Sequence, residues 1–137
     1  MSELPEKHVV TCFLECRGRI LLLRRSQQVG SFRGRWAGIS GYVEGSADEQ
    51  SLIEIGEETG LGPEDVVLVK KGKPLEVEDL ETGVSWIIHS YLYHTGAGGR
   101  VKTDWEHCDK RWIKPEELPD FNTVPMLQEA LASVFKP

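Results

Sequence analysis

The chain has 137 residues, 39% of them hydrophobic and 28% charged, and a net charge of −6. That size favours one compact domain, and the mixture excludes a disordered chain. The negative charge disfavours general binding to a nucleic acid polymer, which needs a basic surface to neutralise phosphates. The longest aliphatic run, Ile20 to Leu23, is far too short to span a bilayer. The start, MSELPEKHVV, lacks the basic-then-apolar pattern of a secretory signal, so a cytoplasmic setting without membrane attachment is expected.

Charge is unevenly placed. Residues 1–45 hold seven Lys/Arg against four Asp/Glu, and the remainder nine against eighteen. Arg24, Arg25, Arg33 and Arg35 thus precede a strongly acidic segment, which reads either as an anion-binding edge beside a cation-binding helix or as solvated surface. Three cysteines, Cys12, Cys16 and Cys108, match no common zinc spacing and form no even set, so inert thiols are expected.

In chain order, residues 8–16 read as a strand buried on both faces, because Val10, Cys12 and Leu14 alternate with Val9, Thr11 and Phe13. Arg17-Gly18 is a two-residue turn, and RILLLRR at 19–25 returns as a second strand. A polar loop follows from Gln27 to Arg35, then a short apolar strand, WAGIS, at 36–40. Ser46 to Thr59 reads as a helix: Ser46 caps it, Glu49 completes a capping box, and Gly60 ends it. Residues 66–71 and 84–94 are further strands. TGAGGR at 95–100 reads as a hairpin connection, KRWIK at 110–114 as a strand, and Pro115 to Leu118 as a helical turn. A last helix starts near Pro125 with Leu127, Leu131, Val134 and Phe135 as its apolar stripe. Strands mixed with two main helices imply an α/β or α+β layered domain.

The informative segment is GYVEGSADEQSLIEIGEETGL, Gly41 to Leu61. At 100° per residue, Leu52, Ile55, Gly56 and Thr59 form one side of its helix, while Glu54, Glu57 and Glu58 form the opposite, exposed side. Gly56 on the apolar side suggests a close approach to the sheet. Three carboxylates on one face are either a solvated surface or the hard oxygen ligands that Mg²⁺ prefers.

The segment resembles the Nudix box, G-x5-E-x7-R-E-U-x-E-E-x-G-U, where U is aliphatic. Glu54, Ile55, Glu57, Glu58, Gly60 and Leu61 match its second half in spacing, Gly41 matches its opening Gly, and VEG at 43–45 resembles the usual approach. LLLRRS, Trp36 and WEHCDKRWIKPEEL resemble flanking features, so the likeness runs over nearly the whole chain. Two positions depart from the pattern. Gly41 to Gly60 is two residues short, which leaves Gly45 in the place of the first Glu, and Ile53 stands in the place of the Arg that helps orient the carboxylates.

The resemblance implies a Nudix-type α/β/α sandwich with a central mixed sheet, spanning residues 1–137 as one domain. It implies hydrolysis of a phosphoanhydride bond in a nucleoside diphosphate derivative, NDP-X to NMP and P-X, with Mg²⁺ or Mn²⁺ as cofactor and a small nucleotide as partner. Glu54, Glu57, Glu58 and the Ser40 carbonyl are the implied metal ligands. Glu54 or Glu106 is the implied general base. Arg24 and Arg25 could bind the diphosphate bidentately; strand alternation lets only one of them face the site, and Arg25 is favoured. Either arginine could also replace the missing box Arg. Trp36, Trp105 and Tyr42 each fit a base-stacking platform or the core. The departures at Gly45 and Ile53 keep a second reading open, a catalytically impaired Nudix-like module that binds a nucleotide and regulates.

Overall fold

The structure is a computed structural model that describes residues 4–135. Its order is β1 (Glu6–Cys16), β2 (Arg19–Arg25), β3 (Trp36–Ala37), β4 (Ile39–Tyr42), α1 (Ala47–Thr59), β5 (Val66–Lys71), β6 (Leu75–Asp79), β7 (Val84–Thr95), β8 (His107–Ile113) and α2 (Leu127–Val134). β1 is the central strand. It runs parallel to β7 from Glu6–Ser85 to Glu15–His94. On its other side it pairs antiparallel with β4 near its start and with β2 at its end. β2 continues into an antiparallel ribbon with β8 and β3. The far edge of β7 carries β5 and β6.

A parallel pair at the centre needs cover on both faces, and alternation along β1 provides two cores. Val10, Cys12 and Leu14 face the α1 side with Leu21, Leu23, Ile39, Ile55, Tyr91 and Tyr93. Phe13 faces the α2 side with Ile20, Leu22, Trp36, Leu92, Leu127 and Leu131. The result is the expected α/β/α sandwich around a mixed sheet. Burial of one such side chain, Ile55 for example, stabilises the fold by about 1.5–3 kcal/mol. Among the described residues, no helix is long and apolar enough to cross a membrane.

Several local expectations need correction. The 36–40 strand is two strands broken at Gly38, where a Cβ would stand 3.0 Å from the Cys12 carbonyl oxygen. TGAGGR is no hairpin connection: β7 and β8 do not pair, because β8 crosses to β2. β6, LEVED, carries too weak an apolar alternation to be read as a strand, and pairing with β7 makes it one. α2 begins at Leu127 rather than Pro125, since Met126 takes a φ of 70° and no helix passes through it. Gly56 is not pressed against the sheet; a Cβ there would meet only the Leu61 carbonyl oxygen, at an ordinary 3.6 Å. Of the three thiols, Cys12 is buried, Cys16 partly buried and Cys108 exposed, all unpaired.

Candidate active site

The acidic helix is held at both ends by its sequence. The Ser46 side chain accepts from the Glu49 N–H at 3.1 Å, and Asp48 and Glu49 lie in the first turn, where the helix dipole favours negative charge. Gly60, at φ 79°, closes the other end by donating to the Gly56 carbonyl. The buried face differs from the expected one. It consists of Gln50, Ser51, Ile55, Glu58 and Thr59, while Leu52 and Gly56 are only partly covered. On the inward row, Ser51, Ile55 and Glu58, the Ser51 hydroxyl lies 2.6 Å from the Tyr93 hydroxyl beneath the helix and Ile55 packs in the core. The three carboxylates therefore differ. Glu57 is exposed, Glu54 is partly covered, and Glu58 is 2% exposed, not on the open face as the projection suggests.

Glu54 lies across Gly41 of β4 so closely that a Cβ on Gly41 would come within 2.7 Å of Glu54 Oε2. The Gln50 side-chain amide donates to that oxygen at 2.8 Å and accepts from the Glu44 N–H at 3.1 Å. Glu58 Oε1 lies 3.5 Å from His107 Nε2, and the opposite nitrogen of that ring is 2.9 Å from Asp104. Glu58 Oε2 is buried without a hydrogen-bond partner among the described residues. Burial, with the Glu54 carboxyl alongside, pushes Glu58 up to about 10, and the Glu106 and Asp104 charges add to this. Glu54 is raised as well, first by burial, with Glu57 and Glu106 contributing.

The third wall is the loop before β8. A β-bulge sets Arg24 opposite Asp109 but Arg25 opposite His107, so the extra residue Cys108 turns out to solvent and His107 turns in. The Ser26 N–H donates to the Glu106 carbonyl at 2.7 Å, which ties this loop to the end of β2. Alternation puts Arg25 on the face of Leu21 and Leu23, the α1 side, and Arg24 on the face of Leu22. Arg24 Nε donates to the Gly34 carbonyl, Arg25 Nε to that of Ser31 and Arg33 Nε to that of Val29. Among the described residues neither Arg24 nor Arg25 forms an ion pair with a carboxylate. Glu54 is held by a neutral amide instead.

The remaining expected residues are dispersed. Ser40 pairs with Thr11 on β4, next to Gly41. Trp36 is 8% exposed, edge-on to Phe121 with ring centroids 5.5 Å apart, and the Arg111 guanidinium lies over it. Trp105 and Tyr42 are exposed, Tyr42 tilted against Trp86. Three residues of the site were not singled out from the sequence: Gln50, Asp104 and His107. Only the D-x-E-H spacing around Glu106, and a Gln one turn before Glu54, could have pointed to them.

The donor set suits a divalent cation. An ionised carboxylate with an unpartnered buried oxygen costs several kcal/mol, and a cation bound at Glu58 and Glu54 would offset that cost. Among the described residues no three His, Cys, Asp or Glu side chains are grouped so as to hold a metal ion by themselves. Mg²⁺ usually takes one or two carboxylates from a protein and leaves its other positions to water and substrate phosphate.

A family model for the NUDIX domain matches residues 5–134, and the chain belongs to that family. Solved structures agree in fold. The MutT protein of Methanosarcina mazei Go1 superposes with a TM-score of 0.74 at 25% identity, covering 95% of this chain and 93% of that one. A C. elegans Ap4A hydrolase gives 0.70 at 16% identity over 95% and 94%. The E. coli dihydroneopterin triphosphate pyrophosphohydrolase gives 0.74 at 15% identity over 90% and 91%. No curated protein matches the sequence. The protein is thus a Nudix pyrophosphohydrolase, of the class that acts on nucleoside diphosphate derivatives in general.

Proposed function

We propose that the protein hydrolyses a phosphoanhydride bond of a small nucleoside diphosphate derivative in a reaction that depends on Mg²⁺ or Mn²⁺. Water attacks one phosphorus, the bridging P–O bond breaks, and NMP and P-X leave. The observation that carries this reading is the buried, unpartnered Glu58 Oε2 beside the Glu54 carboxyl. Glu54, Glu58 and the more exposed Glu57, with the Ser40 carbonyl, would hold the ion. A divalent cation there supplies Lewis acidity toward a phosphoryl oxygen and makes the attacking water more acidic.

The chain's own groups do the rest. Gln50 occupies one oxygen of Glu54, and His107 backs Glu58. Glu106 has no side-chain hydrogen bond among the described residues, and it is the carboxylate left free to take the proton from water. Arg25 spends its Nε on the Ser31 carbonyl and its Nη2 on the Ser31 hydroxyl, which fixes the guanidinium plane and leaves Nη1 for the diphosphate. The test is a panel of nucleoside triphosphates, dinucleoside polyphosphates, ADP-ribose and nucleotide sugars, with Mg²⁺ or Mn²⁺ and products identified by mass. Metal-dependent release of an NMP from at least one class is expected. No turnover on any of them overturns the reading.

A further inference from the structure

We propose that Gln50 is a positioning residue, which fixes the orientation of the Glu54 carboxylate for cation binding and couples it to the loop that opens the helix. The inference rests on the metal-dependent reading above and goes beyond it, because neither the family pattern nor the sequence analysis assigns Gln50 a role.

Gln50 is 6% exposed, and a buried primary amide must use both its ends. Its oxygen accepts from the Glu44 N–H and its nitrogen donates to Glu54 Oε2. The amide has only one chemically sensible orientation, since a carboxylate cannot donate and a backbone N–H cannot accept. Gln50 and Glu54 are four residues apart on α1, the spacing at which helix side chains meet. On its other side Glu54 rests on Gly41. The carboxylate is therefore clamped between an amide and a bare Cα, with its rotation about the side chain removed.

The chemistry of the clamp matters. A neutral donor orients Glu54 and leaves its full negative charge for a cation. An arginine in the same contact would neutralise part of that charge. The clamp also accounts for two departures from the box. The loop from Gly41 to Ser46 is short enough for the Glu44 N–H to reach the helix side chain, and Ile53, at 49% exposed, has no orienting work to do.

The experiment uses Gln50→Met and Gln50→Glu in the full chain. Gln50→Met removes both hydrogen bonds at nearly constant volume. Gln50→Glu keeps the acceptor for the Glu44 N–H, and so the loop, but when ionised, at alkaline assay pH, has no donor for Glu54. Mn²⁺ affinity is measured without substrate on wild type and Gln50→Met, and kcat and KM on all three, each well below its own Tm. Expected are an approximately tenfold weaker Mn²⁺ affinity in Gln50→Met and a kcat lower by about tenfold or more in both variants, with KM within about threefold. A residue that only ties down the loop would lower Tm while leaving Mn²⁺ affinity and kcat unchanged, or would let Gln50→Glu keep wild-type kcat; either result overturns the proposal. Wild type that neither binds Mn²⁺ nor turns over substrate overturns the functional reading, and this inference with it. Wild type that does both while the variants match it overturns the inference alone.

Discussion

The carboxylate of Glu54 and the α-carbon of Gly41 are in direct contact, and a methyl group on Gly41 would occupy the place of the carboxylate itself. Gly41 has no left-handed φ, so Gly41→Ala adds no backbone strain. The Glu54 side chain can swing away, and the fold should survive. We expect kcat to fall by about tenfold or more, a loss of about 1.4 kcal/mol or more in transition-state stabilisation, with a Tm within about 3 °C of wild type. Wild-type turnover in Gly41→Ala would show that the position of Glu54 is unimportant.

Glu58 makes the metal-free protein pH-sensitive. Its folded value, about 10, lies above that of the unfolded chain, so the folded state keeps a proton that the unfolded state releases. Stability is then fully present below the ordinary carboxylate range and falls as pH rises from there toward about 10. Asp48, held low first by Lys71 and then by Tyr91, acts oppositely and only in acid. With metal chelated, Tm should drop by more than about 3 °C between pH 6 and pH 9. Gln at position 58 has no proton to lose and should flatten that slope. Saturating Mg²⁺ should flatten it too, and by binding only the folded state at a hundred times its Kd should add about 2.7 kcal/mol. An equal slope in wild type and Glu58→Gln would contradict the burial-driven shift.

Turnover should depend on the carboxylates whether they are buried or exposed. Glu57→Gln and Glu58→Gln should each lower kcat by about a hundredfold or more, about 2.7 kcal/mol, with folding retained. Undiminished activity in both would remove them from the cation site.

Arg25 and Arg24 should separate in steady-state kinetics. Arg25→Ala should raise KM by about tenfold, and Arg24→Ala by less than about threefold, because alternation puts only Arg25 on the α1 side. The opposite order would mean that the diphosphate lies across the other face of β2.

Ile53→Arg tests whether the missing box Arg matters. Ile53 lies one turn before the exposed Glu57, and Glu54 is already held by Gln50. The substitution should leave kcat within about twofold. A fivefold gain would show that the carboxylates of the wild-type site are incompletely oriented.

The sequence by itself determined the layered α/β class, the two-stranded start, the capped acidic helix from Ser46 to Gly60 and its family. These are local matters. A period of two or of 3.6, a Ser with a Glu three residues on, and a Gly able to take positive φ act within a few residues of one another. Only the tertiary structure decided which carboxylates are buried. That followed from the roll of α1, in which Ser51 meets Tyr93 across 42 residues and Ile55 enters the core, and no helical projection contains it. His107, with Asp104 on its far ring nitrogen, reaches Glu58 only because a β-bulge in β8 opposite Arg25 turns one residue inward, so its role depends on strand register. Gln50 reads as an ordinary polar helix residue until β4 and its loop fold over it, because a buried amide acquires a function only from the partners that three-dimensional packing brings to its two ends.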